Sequence, residues 1–507
     1  MSRSNHAGMS FWGAGNASEP VWPRERPNYS SLAAAVQGET ARWNVPGIAA
    51  GIVQDGHIEI VTAGFANLET KQPVTPDTVF QIGSVSKIYT ATLAQILAEE
   101  GILDLEEKIV TYLPDFTLAD AGAAKQITVR QALSHQGGFE GDIFDDQGLG
   151  DDALEKSVAS AKTWKQWVQP GELWFYNNAG FYLVGRVIEV LTGKPFETVM
   201  REKLLDPAGL NNTMLFTHEA ILHPHAVGHN LKDRKGEYTI AQPYAIPRHA
   251  AAAGYIIQTV GDLLRFAQIH LNGGEIDGVR ILSEARVKDM QVPQIKASNF
   301  ADHYATSWAL EGIGGATIVQ HGGSTNGFRA HLDLLPESGF AVAVLTNGSP
   351  GTVAYDSIRR WALEHYRNLK DEPRAAIELS REALEKRVGR WERQMARIDI
   401  SLEGDELVAS MTEVNDETGK PVGEPRTMTL YPLSDDEFGV VDAEGLGESW
   451  MFVELHPDSQ GNNRDLLRMH GRLLERVQPG SDKPKKAAKA AKADKPEKDD
   501  KGKKKKK

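Results

Sequence analysis

Two pairs of β-rich runs, one at each end of a long helical stretch, constrain this chain more than any other feature. Ile48 to Val53 and His57 to Ala63 meet at Asp55-Gly56, a strong hairpin signal, and Ala330 to Leu335 and Phe340 to Leu345 flank Pro336 to Gly339. Between these pairs the pattern is mainly helical. Hairpins at both ends of one stretch imply a single antiparallel sheet completed by both. A helix is predicted near Ser31 to Trp43 before it and another from Val353 to about Tyr366 after it. The expected fold class is therefore α/β (α+β), an antiparallel sheet flanked by helices with a helical subdomain inserted.

The helical stretch holds Ser84-Val85-Ser86-Lys87, the one Ser-x-x-Lys match in the chain, where about one or two would arise by accident. The segment from Val85 to Glu100 carries Ile88, Leu93, Ile96 and Leu97 without Pro or Gly, and Gly101 supplies a left-handed stop. Ser84 thus falls at a helix start, where backbone N–H groups and the helix dipole favour developing negative charge. Lys87 lies one turn on, within reach of the serine hydroxyl. A serine there also makes an ordinary N-cap and a lysine an ordinary solvated residue. Against that, a first-turn lysine has the wrong sign for the dipole, and this helix is too apolar for a surface helix, so the lysine is expected to face an interior cleft. Tyr176-Asn177-Asn178 and His321-Gly322-Gly323 follow in that order. Their patterns recur as decoys at Tyr366-Arg367-Asn368, His6-Ala7-Gly8 and His135-Gln136-Gly137, all of which stand in the wrong order.

With these three motifs the chain resembles the penicillin-recognising serine hydrolases, in the branch of class C β-lactamases, D-aminopeptidases, DD-peptidase-like proteins and related esterases. Phe80-Gln81-Ile82-Gly83, Leu133-Ser134-His135 with Gly137-Gly138, Gly254-Tyr255 and Thr346-Asn347-Gly348 fall where that family places similar words, over most of residues 31 to 372. The resemblance implies a catalytic set of Ser84, Lys87 and Tyr176 and a substrate-binding set of Asn178, His321, Gly322, Gly323 and Ser324. In it, Asn178 orients Lys87 and the substrate amide, the strand from His321 holds an extended substrate, and the backbone N–H groups of Ser84 and Ser324 serve the oxyanion.

An alcohol needs an adjacent base, and free lysine and tyrosine both titrate at about 10. Burial favours neutral Lys87 while a Lys87 ammonium favours a Tyr176 phenolate, so the pair is assigned jointly as general base and acid. Gly322 and Gly323 leave a strand edge without side chains for a substrate backbone to approach. His321 replaces the lysine that suits the carboxylate of penicillins and D-Ala-D-Ala ends, and histidine is charged only in part near neutrality. Weak binding of anionic β-lactams is expected.

Beyond residue 372 the pattern changes. From 380 to 478, Ile398, Ile400 and Leu402 alternate, Gly404-Asp405 turns, and runs follow at Thr427 to Leu430, Trp450 to Leu455 and Leu466 to Leu474. This suggests a small antiparallel barrel, similar to the lipocalin-like domains attached to some family peptidases. Residues 1–30 read as a flexible arm with no apolar run, neither signal peptide nor membrane anchor. Residues 479–507 read as a disordered tail; from 481 on it holds thirteen lysines against five acids, so the rest of the chain is more acidic than the formal net charge of −13. That acidic body argues against nucleic acid or membrane as the main partner.

No cysteine is present, which excludes disulfides and thiol catalysis, and the missing leader points to the cytoplasm. No cofactor or metal is expected: His223, His225 and His229 have ligating spacing but read as a polar loop around Pro224 and Gly228. The expected partner is a small-molecule or peptide substrate, with homo-oligomerisation left open. The function expected is a serine hydrolase acting through a Ser84 acyl-enzyme on amide bonds of small peptides, D-aminopeptidase- or carboxypeptidase-like. A carboxylesterase or acyltransferase with the same site is the alternative, and a true β-lactamase or a non-catalytic ligand-binding protein stands behind both.

Overall fold

The computed structural model describes residues 27–477 apart from 233–235, 372–373, 416–417, 419, 442–446 and 456–463. The Lys-rich tail and nearly all of the N-terminal arm lie outside the described residues. Helix α1, Leu32–Arg42, starts at Ser31, whose hydroxyl accepts from the Ala34 N–H. Strands β1, Gly47–Gln54, and β2, His57–Asn67, follow. Asp55 and Gly56 between them have φ of 52° and 78°, both positive, as a type I′ hairpin needs.

Helix α2, Ser86–Glu99, is entered through a 3-10 turn at Gly83–Val85. Helices α3, Ala179–Thr192, and α4, Val260–Leu271, belong to the helical middle. Strands β3, Ala309–Ile313, β4, Ala316–Thr325, β5, Phe328–Leu335, and β6, Phe340–Thr346, then precede helix α5, Gly351–Arg367. These strands and three two-residue strands make a nine-stranded antiparallel sheet in which β6 pairs with β1, Ile48 opposite Thr346. The last strand thus closes onto the first, as the two hairpin signals imply.

Side chains of β1 and β6 are buried on both faces. Ile48, Ala50, Ile52, Val342 and Val344 pack under α1 and α5. Ala49, Val53, Ala341, Ala343 and Leu345 join the core of α2, α3 and α4. Double burial is why both strands read as unbroken apolar runs. Each fully buried Ile or Leu contributes about 1.5–3 kcal/mol, so α2 is anchored firmly against the sheet.

Between Gly389 and Arg476, eight antiparallel strands form a closed barrel, completed where Gly389–Arg393 pairs with Arg472–Arg476. Trp391, Phe438, Trp450 and Phe452 meet in its core, Phe452 with ring centroids 5.4 Å from Trp391 and 5.3 Å from Phe438. One expected run is corrected. Leu466 to Leu474 is not a single strand but two, Arg464–Met469 and Arg472–Arg476, with Met469 paired to Arg472 across His470-Gly471. Both turn residues have positive φ, 48° and 71°. Histidine is an uncommon first residue for such a turn, so the apolar run on either side hides it in the sequence.

Among the described residues no helix is long and apolar enough to cross a membrane. Nor do they hold a cluster of three metal-ligating side chains. His229 is engaged by backbone at both ring nitrogens, Nε2 accepting from Leu68 N–H at 3.2 Å and Nδ1 lying 3.0 Å from the Asn347 carbonyl.

Candidate active site

Ser84 lies in the 3-10 turn between a short strand, Phe80–Gln81, and α2, so the sheet edge and the buried helix fix it from both sides. Strand β4 packs directly on this turn. A Cβ on Gly83, which has φ 52°, would stand 2.6 Å from Ser324 N, and one on Gly323 would stand 1.9 Å from the Ile82 carbonyl oxygen. Gly323 is therefore glycine because the Ser84 turn leaves no room, and the space expected to serve a substrate backbone is taken by Ile82. At Gly322 an added Cβ would find nothing nearer than 3.4 Å. Strand β3 pairs with β4 only as far as Gln320, opposite Ala309, so the His321–Thr325 end of β4 extends past it towards the serine turn.

Lys87 is fully buried, 0% exposed. Its Nζ donates to Ser84 Oγ at 3.1 Å and to the Ala253 carbonyl at 2.7 Å, and stands 5.0 Å from the Tyr176 ring centroid and 5.3 Å from that of Phe181. Burial, and next the Arg472 guanidinium, push the Lys87 pKa well below its usual value, with Asp142 opposing. An ammonium taken out of water costs several kcal/mol unless paired. Among the described residues no carboxylate bonds to this one, so burial disfavours the charged form of the amine. Burial pushes the Tyr176 phenol up, far beyond the neutral range, while Ser84 draws it down in part. The Tyr176 hydroxyl has no well-formed hydrogen bond.

The two asparagines of the middle motif do different work. Asn177 Oδ1 accepts from the Gly180 N–H at 2.8 Å at the start of α3, and its Nδ2 donates to the Phe139 carbonyl at 2.6 Å. Asn178 Nδ2 donates to Asp142 Oδ1 at 3.0 Å. The contact that holds Lys87 comes from Ala253, where the resemblance implied Asn178.

Asp142 is the hub of a charge cluster. Arg472 grips it with two nitrogens, Nε to Oδ2 at 3.1 Å and Nη2 to Oδ1 at 3.0 Å, and Arg393 Nη2 donates to Oδ2 at 2.8 Å. Arg393 also reaches Glu140, whose other oxygen accepts from Trp167 Nε1 at 3.0 Å. Burial raises the Asp142 pKa, but Arg472 and then Arg393 outweigh it and hold the carboxyl well below the usual range. Both arginines belong to the barrel. Its His470-Gly471 turn touches the middle motif itself, Tyr176 N–H donating to the Gly471 carbonyl at 2.6 Å, and Arg472 Cζ stands 4.5 Å from the Tyr176 ring centroid. Further along the contact, Arg468 Nη1 donates to the Trp174 carbonyl at 2.9 Å. A cavity of about 430 Å³ lined by Trp174, Met451 and Arg468 lies at the same junction, and Ser84, Lys87 and Tyr176 do not line it.

His321 is buried, its Nε2 3.1 Å from the Tyr304 hydroxyl and its Nδ1 2.6 Å from the Gly322 carbonyl. Burial first, then Lys87, lowers its pKa to about 3. The buried surroundings disfavour its charged form.

The structure thus brings Ser84, Lys87, Tyr176, Asn178, His321, Gly322, Gly323 and Ser324 into one neighbourhood and adds Ala253, Asp142, His135, Tyr304 and Arg472. Of the added residues, Ala253 adjoins Gly254-Tyr255 and His135 lies in Leu133-Ser134-His135, both words visible in the sequence. Asp142, Tyr304 and Arg472 carried no signal.

A buried lysine amine on a serine hydroxyl, at the junction of an antiparallel sheet and a helical subdomain, fits a serine hydrolase of the penicillin-recognising kind. The chain belongs to the Beta-lactamase family, whose model matches residues 32–367. It is 34% identical over 328 residues to penicillin-binding protein 4 of Amycolatopsis lactamdurans, covering 62% of this chain and 84% of that one. In fold it is similar to the crystal structure of SurE, with a TM-score of 0.69, 24% identity, and coverage of 88% of this chain and 98% of that one. It is also similar to the D-amino acid amidase of Ochrobactrum anthropi, with a TM-score of 0.56, 23% identity, and coverage of 66% and 97%.

Proposed function

We propose that this serine hydrolase forms an acyl-enzyme at Ser84 and cleaves amide bonds of small peptides and amides built from D-residues. Residues 31–372 act as the catalytic domain, and the barrel at 380–478 buttresses it. The observation that carries the reading is the fully buried Lys87 amine 3.1 Å from Ser84 Oγ, with its charged form disfavoured by burial.

Lys87 Nζ takes the Ser84 proton as Oγ bonds to the carbonyl carbon, and the backbone N–H groups of Ser84 and Ser324 receive the oxyanion. Tyr176, protonated at working pH, gives its proton to the departing nitrogen and regains one from the Lys87 ammonium. Water then cleaves the ester through the same groups in reverse. A neutral His321 offers no cation for a terminal carboxylate, which favours the aminopeptidase or amidase version over a carboxypeptidase or β-lactamase. The D-residue element is suggested by the shared fold with a D-amino acid amidase and by the His-Gly-Gly form of the third motif.

A panel of D- and L-aminoacyl nitroanilides and short-chain nitrophenyl esters tests this. D-anilide cleavage is expected, falling by on the order of 10³-fold or more in Ser84→Ala. A fluorophosphonate probe should add one adduct to the parent, by intact mass, and none to that variant. Strong ester turnover with no anilide cleavage would sink the peptidase reading, and a labelled, active Ser84→Ala would sink the site.

A further inference from the structure

His321 ends a hydrogen-bond chain whose direction is fixed from its far end. The Asn177 backbone N–H can only donate, and it points at His135 Nδ1 at 3.0 Å. An Nδ1 that accepts carries no proton, so the proton of the His135 ring sits on Nε2; burial, and next Lys87, also push its pKa well down. That nitrogen is 3.1 Å from the Tyr304 hydroxyl oxygen, which must accept. Tyr304 is fully buried and has one proton to give, and His321 Nε2 is 3.1 Å away. His321 Nε2 is then an acceptor, its proton lies on Nδ1, and that N–H donates to the Gly322 carbonyl at 2.6 Å. Neither ring nitrogen is left for a substrate. His135 adopts φ 59°, a left-handed conformation rare for histidine, to direct its ring into this chain.

We propose that His135 and Tyr304 are positioning residues that lock His321 as the neutral Nδ1–H tautomer, and that this lock makes the cleft reject substrates with a carboxylate beside the scissile bond. A carboxylate entering there sheds water and gains no donor, which is specificity by an unmet polar group. The titratable groups facing His321 are Lys87 from α2, Tyr176 beside α3, Tyr304 and His135 in the chain itself, and His331 on β5. None is a carboxylate that would draw a proton onto the ring. The selectivity half of the proposal rests on the hydrolase reading; the tautomer half does not.

The test therefore has two arms. In ¹⁵N-histidine correlation spectra of the full chain, assigned with His135→Gln and His321→Gln, His321 should show a protonated Nδ1 and a bare Nε2 from pH 5.5 to 8, and His135 the opposite tautomer. A His321 that titrates near 6.5, or that is protonated on Nε2, overturns the lock whatever the enzyme cleaves. The second arm compares a D-alanyl 4-nitroanilide with its 3-carboxy derivative. The parent should prefer the uncharged anilide by about tenfold or more at both pH 5.5 and pH 8. Tyr304→Phe, which keeps the ring and removes the hydroxyl, should narrow that preference at pH 5.5 through KM for the charged anilide, as His321 gains a proton. An unchanged ratio, or an equal loss on both anilides through kcat, assigns Tyr304 a packing role only. Failure of both anilides in the parent removes the hydrolase reading and leaves the spectra to decide the lock.

Discussion

On one flank of Ser84, Lys87, His135, Tyr304 and His321 are buried, and burial disfavours the charged form of each. On the other flank Asp142 stays ionised because two arginines pair with it. Both arrangements satisfy buried polar atoms, by different routes. The neutral flank uses backbone groups from within residues 31–372, such as the Ala253 and Gly322 carbonyls and the Asn177 N–H. The charged flank is assembled across two bodies, its Asp142–Arg472 pair separated by 330 residues in sequence. On the proposed reading the uncharged groups make a base that needs no counter-ion, whereas the paired charges make a scaffold that holds Asn178.

The largest expected effect comes from breaking the charged flank. Arg472→Ala leaves Asp142 with Arg393 as its charged partner beside the Asn178 amide, and removing one member of a largely buried pair is costly. Arg472 is 25% exposed, which softens the loss through solvent screening. A fall in kcat/KM of roughly 10- to 100-fold is expected. Its sign on the pH profile is more telling than its size. Arg472 lowers the Lys87 pKa and Asp142 raises it. Arg472→Ala should therefore move the acid limb of kcat/KM to higher pH, and Asp142→Asn should move it to lower pH. Limbs shifting in the same direction would show that the charged flank does not reach Lys87.

Legibility follows the same division. Ser84 and Lys87 share one helical turn, so their meeting is a matter of local geometry that the sequence displays. The sheet was equally readable, because Asp55-Gly56 dictates its turn and double burial makes β1 and β6 continuous apolar runs. His135 was visible in Leu133-Ser134-His135, but no role attached to it there, and its His-x-Gly pattern stood only as a decoy for the third motif. Arg472 was hidden because nothing local marks an arginine that must reach a carboxylate in another body, and because Leu466 to Leu474 looks like one strand. Its break at His470-Gly471 depends on a left-handed histidine that propensity does not suggest.

A second test separates the flanks through stability. His321 and His270 are both buried, with folded pKa values lowered to about 3, below the unfolded value of about 6.5. Above pH 6.5 both states are neutral at these positions and pH has no leverage. Below it the unfolded chain binds protons that the folded one refuses. Stability should then fall with pH from about 6.5 towards about 3, by up to about 1.4 kcal/mol per pH unit for each histidine. Asp142, with its pKa depressed, loses its contribution only below the usual carboxylate range. Denaturant midpoints between pH 7 and pH 4.5 check this, and His270→Gln should flatten the slope. A slope unchanged in that variant would place the loss elsewhere.

The smallest effect is the sharpest probe of the contact between the bodies. Gly471 has φ 71°, and a Cβ there would lie 3.1 Å from Tyr176 Cβ and 3.2 Å from a Trp174 ring carbon. Alanine strains the left-handed turn by about 1 kcal/mol and presses on the residue that carries the phenol. Since the Gly471 carbonyl also holds the Tyr176 N–H at 2.6 Å, a shift of the turn displaces the phenol and not the serine. Gly471→Ala should thus lower kcat by about twofold to tenfold while fluorophosphonate labelling of Ser84 persists. Gly404, at φ 66° with open space around it on the far hairpin of the barrel, supplies the control. Gly404→Ala carries the same strain without the contact. Equal losses of kcat in the two variants would mean that the barrel acts on the cleft only through its own stability.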